Sequence, residues 1–455
     1  MTSLSGKISR FALDLKYEDI PEESIWEAKR FLLDSVGCAL AATNNEDMEA
    51  MYRFTEKLGG SPEATVIGRE FKTNASNAAL MNCLLTRALD YNDIYWEEDP
   101  AHPSDIIGAA LAAAEVNGKG GADAIIAIII AYELTLRWCH AAHPGVREVG
   151  WHHASLIQFV SPFVAGRMYD LDLDQMIAAA GISGSSHFTL GGVVAGHLTN
   201  MKNTAAPLAS QAGVIAAMMA KEGYEGPVEV FEGKEGVFEV ISNVEWRPDW
   251  PLKGLGEDFM ITQCGYKAFP TEALTHQPIS AALQVCQEHD LAAEDITEIL
   301  VETTVRGADI LSDPSKYKPT TKETADHSLP YVVAAVVADG NVLPSSFSDD
   351  KLKDPRIWDL LGKIKVVADP EIDAMFPGVK RARVTITDTG GNSHTAQVDH
   401  AKGSPKNPMS DDEIISKFRS NAAAVLDVKT QDKVIDLTWR FDELDEITGY
   451  LELLR

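Results

Sequence analysis

The stretch Asp19-Ile20-Pro21-Glu22-Glu23, followed by Ile25, Ala28, Leu32, Val36 and Ala39, reads as the start and the buried stripe of a long helix. Proline is tolerated in a first helical turn, and two carboxylates there sit beside the positive end of the helix dipole. The apolar residues then return every three or four positions, the spacing of one helix face. Working outward, the same pattern recurs at residues 74–89, 104–116, 121–140, 154–167, 174–182 and 204–221. Alanine is abundant throughout, and small side chains let helices approach closely. The first half is therefore expected to be a compact helical bundle, residues 1–264.

The character changes near Gly265. Residues 296–305 are rich in Ile, Val and Thr and read as a strand, as do residues 363–368. Residues 381–387 and 393–398 flank Asp388-Thr389-Gly390-Gly391-Asn392, a hairpin with a glycine-rich loop. Helical patterns at 272–288 and 328–337 interleave with these strands, which predicts a smaller α+β domain over 265–404. Helical patterning returns at 410–426 and 428–454, and residues 405–455 are expected to complete the helical domain. The fold class read here is mainly α, with a large all-helical domain and a second α+β domain.

The chain has 455 residues and a net charge of −28, with 45% hydrophobic and 24% charged residues. That is ordinary for a soluble globular protein and too hydrophobic for disorder. The acidity argues against nucleic acid and anionic membrane surfaces, which need a surplus of Lys and Arg. An anionic small molecule is still allowed, because a local pocket can be positive on an acidic protein. The five cysteines, Cys38, Cys83, Cys139, Cys264 and Cys286, are widely spaced without a C-x-x-C pair, so reduced thiols are expected rather than disulfides or a zinc ribbon. The start of the chain lacks an apolar signal core. The most apolar stretch, 124–132, is too short to span a bilayer and reads as a buried helix. A cytoplasmic location is expected.

There is no G-x-x-x-x-G-K-[ST] loop, no convincing G-x-G-x-x-G after a strand, no H-E-x-x-H and no G-x-S-x-G. Four other places concentrate chemistry. Asp90-Tyr91-Asn92-Asp93 precedes an acidic loop, Glu97-Glu98-Asp99-Pro100, and then His102-Pro103-Ser104-Asp105, with Ser104 a candidate N-cap. Gly150-Trp151-His152-His153 places two histidines in a turn, with no further ligands at metal-binding spacing. Lys202 lies in Asn200-Met201-Lys202-Asn203. Lys267, Phe269, Pro270 and His276 fall where the helical half gives way to the α+β half, and ligand sites favour domain interfaces. Asp326 beside His327 could orient that ring or cap a helix, and capping is the expected role. A set of His, Lys, Asp and Tyr without a nucleophile–base signature or metal set suits proton transfer on an anionic small molecule.

These segments resemble the MmgE/PrpD family. The resemblance is carried by residues 19–21 with 28–37, by His102-Pro103-Ser104-Asp105, Gly150-Trp151-His152-His153, Met201-Lys202-Asn203 and Lys267-x-Phe269-Pro270, and most specifically by residues 321–331, T-K-E-T-A-D-H-S-L-P-Y. It covers nearly the whole chain in the family's order. It implies a helical domain and an α+β lid with the active site between them, a homodimer, and no metal or organic cofactor. It also implies an enzyme related to 2-methylcitrate dehydratase of propionate metabolism, cis-aconitate decarboxylase and iminodisuccinate epimerase. A lyase that dehydrates 2-methylcitrate or citrate is the expected reading, decarboxylation or epimerisation on the same fold is the alternative, and a non-catalytic polycarboxylate binder is ranked below both. Residue by residue, it implies catalytic roles for His102 and His152 as acid–base pair, with Asp93 and His276 in support. It implies substrate binding by Lys202, Lys267 and Tyr317, with Tyr331 the rival tyrosine. Two departures stand out: the acidic run between Asp93 and His102, and Ala273-Leu274-Thr275-His276-Gln277 where methylcitrate dehydratases commonly carry Tyr-His-Thr-Gln.

Overall fold

The computed structural model describes residues 3–195 and 198–455. The protein is mainly helical with small sheets, and it divides into two compact units, Met1–Cys264 with Ser410–Arg455, and Gly265–Met409.

In the first unit the opening stripe forms the helix Glu22–Ala42, with Ala28, Leu32, Val36 and Ala39 buried. The apolar stretch 124–132 lies within the helix Gly121–Trp138 and is buried throughout. Among the described residues no helix is long and apolar enough to cross a membrane. The helix Ala75–Arg87 packs on Ile107–Val116 and on Met201–Lys221, and the last also packs on Ala154–Met168. Ala78, Ala79, Ala109 and Ala110 are almost completely buried, so alanine supplies the close approach.

Two expectations for this unit need correction. It is not all-helical: among the described residues three two-stranded antiparallel ladders join Ala64–Thr65 to Lys72–Thr73, Tyr95–Trp96 to Pro100–Ala101, and Ala142–His143 to Glu245–Trp246. Strands of two residues are too short to show an alternating pattern, so periodicity could not reveal them. The expected helix over 428–454 stops at Trp439, giving Val428–Trp439 and then short turns. The chain is drawn aside because Asp442 bonds Lys29 (2.5 Å) and Tyr17 (2.6 Å), and the Leu444 carbonyl accepts from the Gly121 amide (2.8 Å). A Cβ on Gly121 would stand 1.5 Å from the Phe441 oxygen, so a glycine is required at this crossing. The helix Asp411–Ala422 lies on Glu22–Ala42, where Lys417 pairs with Asp34 at 2.7 Å.

In the second unit four strands are ordered Ser393–Val398, Ala382–Asp388, Ile296–Thr303, Ile364–Ala368. The hairpin registers Thr387 opposite Ser393, and the Ile296–Thr303 and Ile364–Ala368 pair is parallel. The helix His276–His289 packs against the hairpin strands, with Leu329–Asp339 beside it. The expected helix from 272 begins only at His276, because the Glu272 carboxylate accepts the Leu274 amide (2.6 Å) and sets a preceding 3₁₀ turn.

Candidate active site

Four of the expected residues, Asp93, His102, His152 and Lys202, belong to the first unit, where they share one buried polar cluster. Its floor is the loop that leaves the helix Ala75–Arg87. Asp90 there takes a left-handed backbone (φ 50°), a sparsely populated conformation for a residue with a Cβ. Its carboxylate is bound by Arg87 and, at 3.2 Å, by Lys202 Nζ at the start of Met201–Lys221. Arg87 Nε also lies 3.8 Å from Asp105. Two basic and two carboxyl groups, each less than a tenth exposed, are thus gathered out of water.

Asp93 is fully enclosed. It accepts from the Ser104 amide (3.0 Å), the Ser104 hydroxyl (2.6 Å) and the Tyr132 hydroxyl (2.6 Å). Ser104 therefore does not act as the expected N-cap; it spends its hydroxyl on Asp93 and sits inside the 3₁₀ turn Pro103–Ile106. Burial pushes the Asp93 carboxyl up to about 6, and these hydrogen bonds only partly offset it. Burial likewise pushes Asp105 up to about 7, with Arg87 opposing and the charges of Asp93 and Asp90 adding to the rise.

The histidines hang from the same framework. His102 Nδ1 lies 2.5 Å from the Asp93 carbonyl oxygen. A carbonyl can only accept, so Nδ1 carries a proton, and in the neutral form of this ring the lone pair is on Nε2. His152 is set the other way, because its Nδ1 accepts the Ala154 amide at 3.2 Å, which leaves the ring proton on Nε2. His153 lies between them, its ring centroid 3.9 Å from His152 and 5.8 Å from His102. Burial lowers His152 to about 3 and His153 well below the ordinary histidine range, and the charge of Arg147 adds to both. Both rings are neutral at physiological pH.

The other three expected residues belong to the second unit. Lys267 Nζ donates to the Thr271 carbonyl (3.0 Å), Thr271 receives the Thr275 hydroxyl (2.8 Å), and the His276 ring meets Phe269 edge-on at 5.5 Å. Lys267 and His276 therefore share one buried corner. Tyr317 is half-buried, and burial raises its hydroxyl above the ordinary tyrosine range, with the Val366 backbone opposing. Tyr331 is completely buried and donates to the Ser346 carbonyl (2.8 Å), which commits its hydroxyl to the core. Asp326 corrects the capping expectation: it accepts from His327 (2.5 Å) and Lys322 (2.8 Å), while Ser328 caps the helix Leu329–Asp339.

Sequence reasoning missed Arg87, Tyr132, Arg147 and His153 as members of the cluster. Only His153 carried a signal, its adjacency to His152. Among the described residues, no group of three or more His, Cys, Asp or Glu side chains is placed to hold a metal ion.

The bundle buries histidine rings among paired basic and carboxyl groups, a set of residue types able to exchange protons. Residues 6–249 match the MmgE/PrpD N-terminal domain and residues 269–443 the MmgE/PrpD C-terminal domain, so the chain belongs to the MmgE/PrpD family. The chain is 26% identical to cis-aconitate decarboxylase of Aspergillus terreus (strain NIH 2624 / FGSC A1156), covering 100% of this chain and 96% of that protein. It is 23% identical to cis-aconitate decarboxylase of Homo sapiens, over 97% and 92% of the two chains. It is 26% identical to 2-methylcitrate dehydratase of Escherichia coli (strain K12), over 96% and 95%. Residues 410–443 match the family's C-terminal domain yet fold within the first compact unit.

Proposed function

We propose that this protein is a lyase that removes water from a small polycarboxylic acid of the 2-methylcitrate or citrate kind. The observation that carries the reading is the opposed setting of His102 and His152 in one buried cluster. His102 Nε2 takes the proton from a carbon beside a carboxylate, and the electron pair passes to the neighbouring bond as the hydroxyl departs. His152 Nε2–H polarises that hydroxyl. The proton resting on His102 is passed to it, so the substrate loses one water and the protein ends as it began. Lys202 binds a substrate carboxylate and Asp93 supports His102 through its backbone. Carboxylate binding by Lys267 and Tyr317, support by His276, a lid role for Gly265–Met409, a homodimeric assembly and a cytoplasmic location are parts of the same proposal and rest on family membership.

A second reading is decarboxylation of a cis-aconitate-type acid. It is favoured by the end-to-end match with the Aspergillus terreus cis-aconitate decarboxylase. Here carbon dioxide, not a proton, leaves the electron pair on carbon, and a histidine relays a proton from solvent to that carbon afterwards.

The test is incubation of the protein with 2-methylcitrate, citrate, cis-aconitate and iminodisuccinate in deuterated buffer containing a chelator, followed by proton NMR. Loss of water from 2-methylcitrate or citrate supports the dehydratase. Itaconate from cis-aconitate moves the protein to the second reading, and deuterium uptake without elimination points to an epimerase. No change in any of the four acids overturns the substrate class.

A further inference from the structure

The acidic run Glu97-Glu98-Asp99 is unusual in the sequence, and the reading of His102 and His152 above leaves it without a role. Its last member is the most enclosed: Asp99 is 0% exposed, in the loop of the hairpin that pairs Tyr95 with Ala101 and Trp96 with Pro100. One carboxylate oxygen accepts the Val146 amide at 2.8 Å and the other the Arg147 amide at 3.1 Å. Its own amide donates to the Cys139 carbonyl (3.2 Å). Asp99 thus ties the hairpin to the turn Val146–Val149. His102 follows three residues after Asp99 on one side, and His152 follows five residues after Arg147 on the other.

Two further observations converge on the same joint. A Cβ on Gly145 would lie 2.5 Å from both the Asp99 Oδ1 and the Glu98 carbonyl, so the turn seats against the hairpin only with glycine there. The Arg147 guanidinium lies over the Trp96 ring, 5.8 Å from its centroid, which links the same two segments a second time. Glu98 also bonds His143 (2.9 Å) and Arg247 (3.2 Å), but all three groups are partly open to water, where such pairs contribute little.

The geometry points to Asp99 as a positioning residue that holds the turn delivering His152, and with it the charge of Arg147, in register with the strand delivering His102. This rests on the reading of those histidines as the acid–base pair. The carboxylate form is the one that can accept both amides at once. Burial pushes the Asp99 carboxyl up to about 6, opposed by the Arg147 and Val146 amides. The charges of Arg147 and Glu148 face it, and the buried Cys139 thiol is held protonated. Protonation therefore unfastens one side of the joint as pH falls through this value.

The experiment uses the full-length protein and two variants. Asp99→Asn keeps the size and removes the second acceptor; Gly145→Ala crowds the joint from the opposite side. Each is followed by turnover of whichever acid the wild type consumes, by the pH profile of kcat, and by histidine-ring NMR. Both variants are expected to lower kcat by about a hundredfold with KM little changed, as misplacement of a reacting group does. Both should shift the His152 and His153 ring signals while leaving His289 unmoved, and Asp99→Asn should lose the acid limb near pH 6. Variants with kcat within about twofold of wild type and unshifted His152 signals would overturn the proposal. A wild type that turns over none of the acids defeats the functional reading instead, and the NMR arm still decides whether Asp99 places His152.

Discussion

Replacing Asp93 with asparagine isolates what burial does to this carboxyl group. In the folded protein it titrates near 6, against an ordinary value near 4, because burial outweighs the bonds from Ser104 and Tyr132. Between these values the folded state binds a proton that the unfolded chain has released. Stability from this group is therefore full below about pH 4 and is lost as pH rises to about 6, at about 1.4 kcal/mol per pH unit. The loss over the window is about 3 kcal/mol. Asparagine has no such titration, and the altered bond to Ser104 or Tyr132 adds an offset that does not vary with pH. Urea unfolding of both proteins from pH 4 to pH 8 should show the variant gaining on the wild type by that slope and then levelling. Because the Asp93 charge also raises Asp105, which titrates near 7, the gain should continue weakly to that pH. A difference between the two proteins that stays constant within about 1 kcal/mol across the range would refute burial as the dominant influence.

Three other outcomes follow from the same structure. Lys417→Met strands the Asp34 carboxylate and frees the Tyr91 carbonyl, each bound at 2.7 Å, and should cost about 3–5 kcal/mol by chemical denaturation, with the Asp34→Asn/Lys417→Met double variant losing less than the sum. Gly121→Ala places a methyl against the Phe441 oxygen and should loosen the C-terminal segment, seen as faster limited proteolysis beyond residue 440; cleavage at the wild-type rate would show that the crossing tolerates a side chain. Lys202→Met leaves Asp90 with Arg87 as a partner, so it should weaken polycarboxylate binding by about tenfold or more in calorimetry while costing only about 1–3 kcal/mol of stability.

The helices were readable because their signal is local. The three- and four-residue return of Ile25, Ala28, Leu32, Val36 and Ala39 needs no knowledge of what the stripe packs against, and the strands at 296–303 and 382–398 announced themselves by β-branched residues around a glycine-rich turn. Family membership was readable for a related reason, since the motifs around His102, His152, Lys202 and residues 321–331 keep order and spacing along the chain. The residue types proposed here for proton transfer were thus visible before any fold. Their partners were not. Ser104 looked like a helix cap and instead serves Asp93, which lies eleven residues earlier; Tyr132, on another helix, completes that carboxylate's shell; and Asp326 grips a ring where capping was expected. Which nitrogen of His102 and His152 holds the proton depends on one backbone carbonyl and one backbone amide whose positions exist only after the loops close. The sequence by itself determined the periodic elements and the chemical kit. The tertiary structure decided how that kit is charged, because burial and hydrogen-bond partners come from segments distant in the chain and no spacing rule along the chain encodes them.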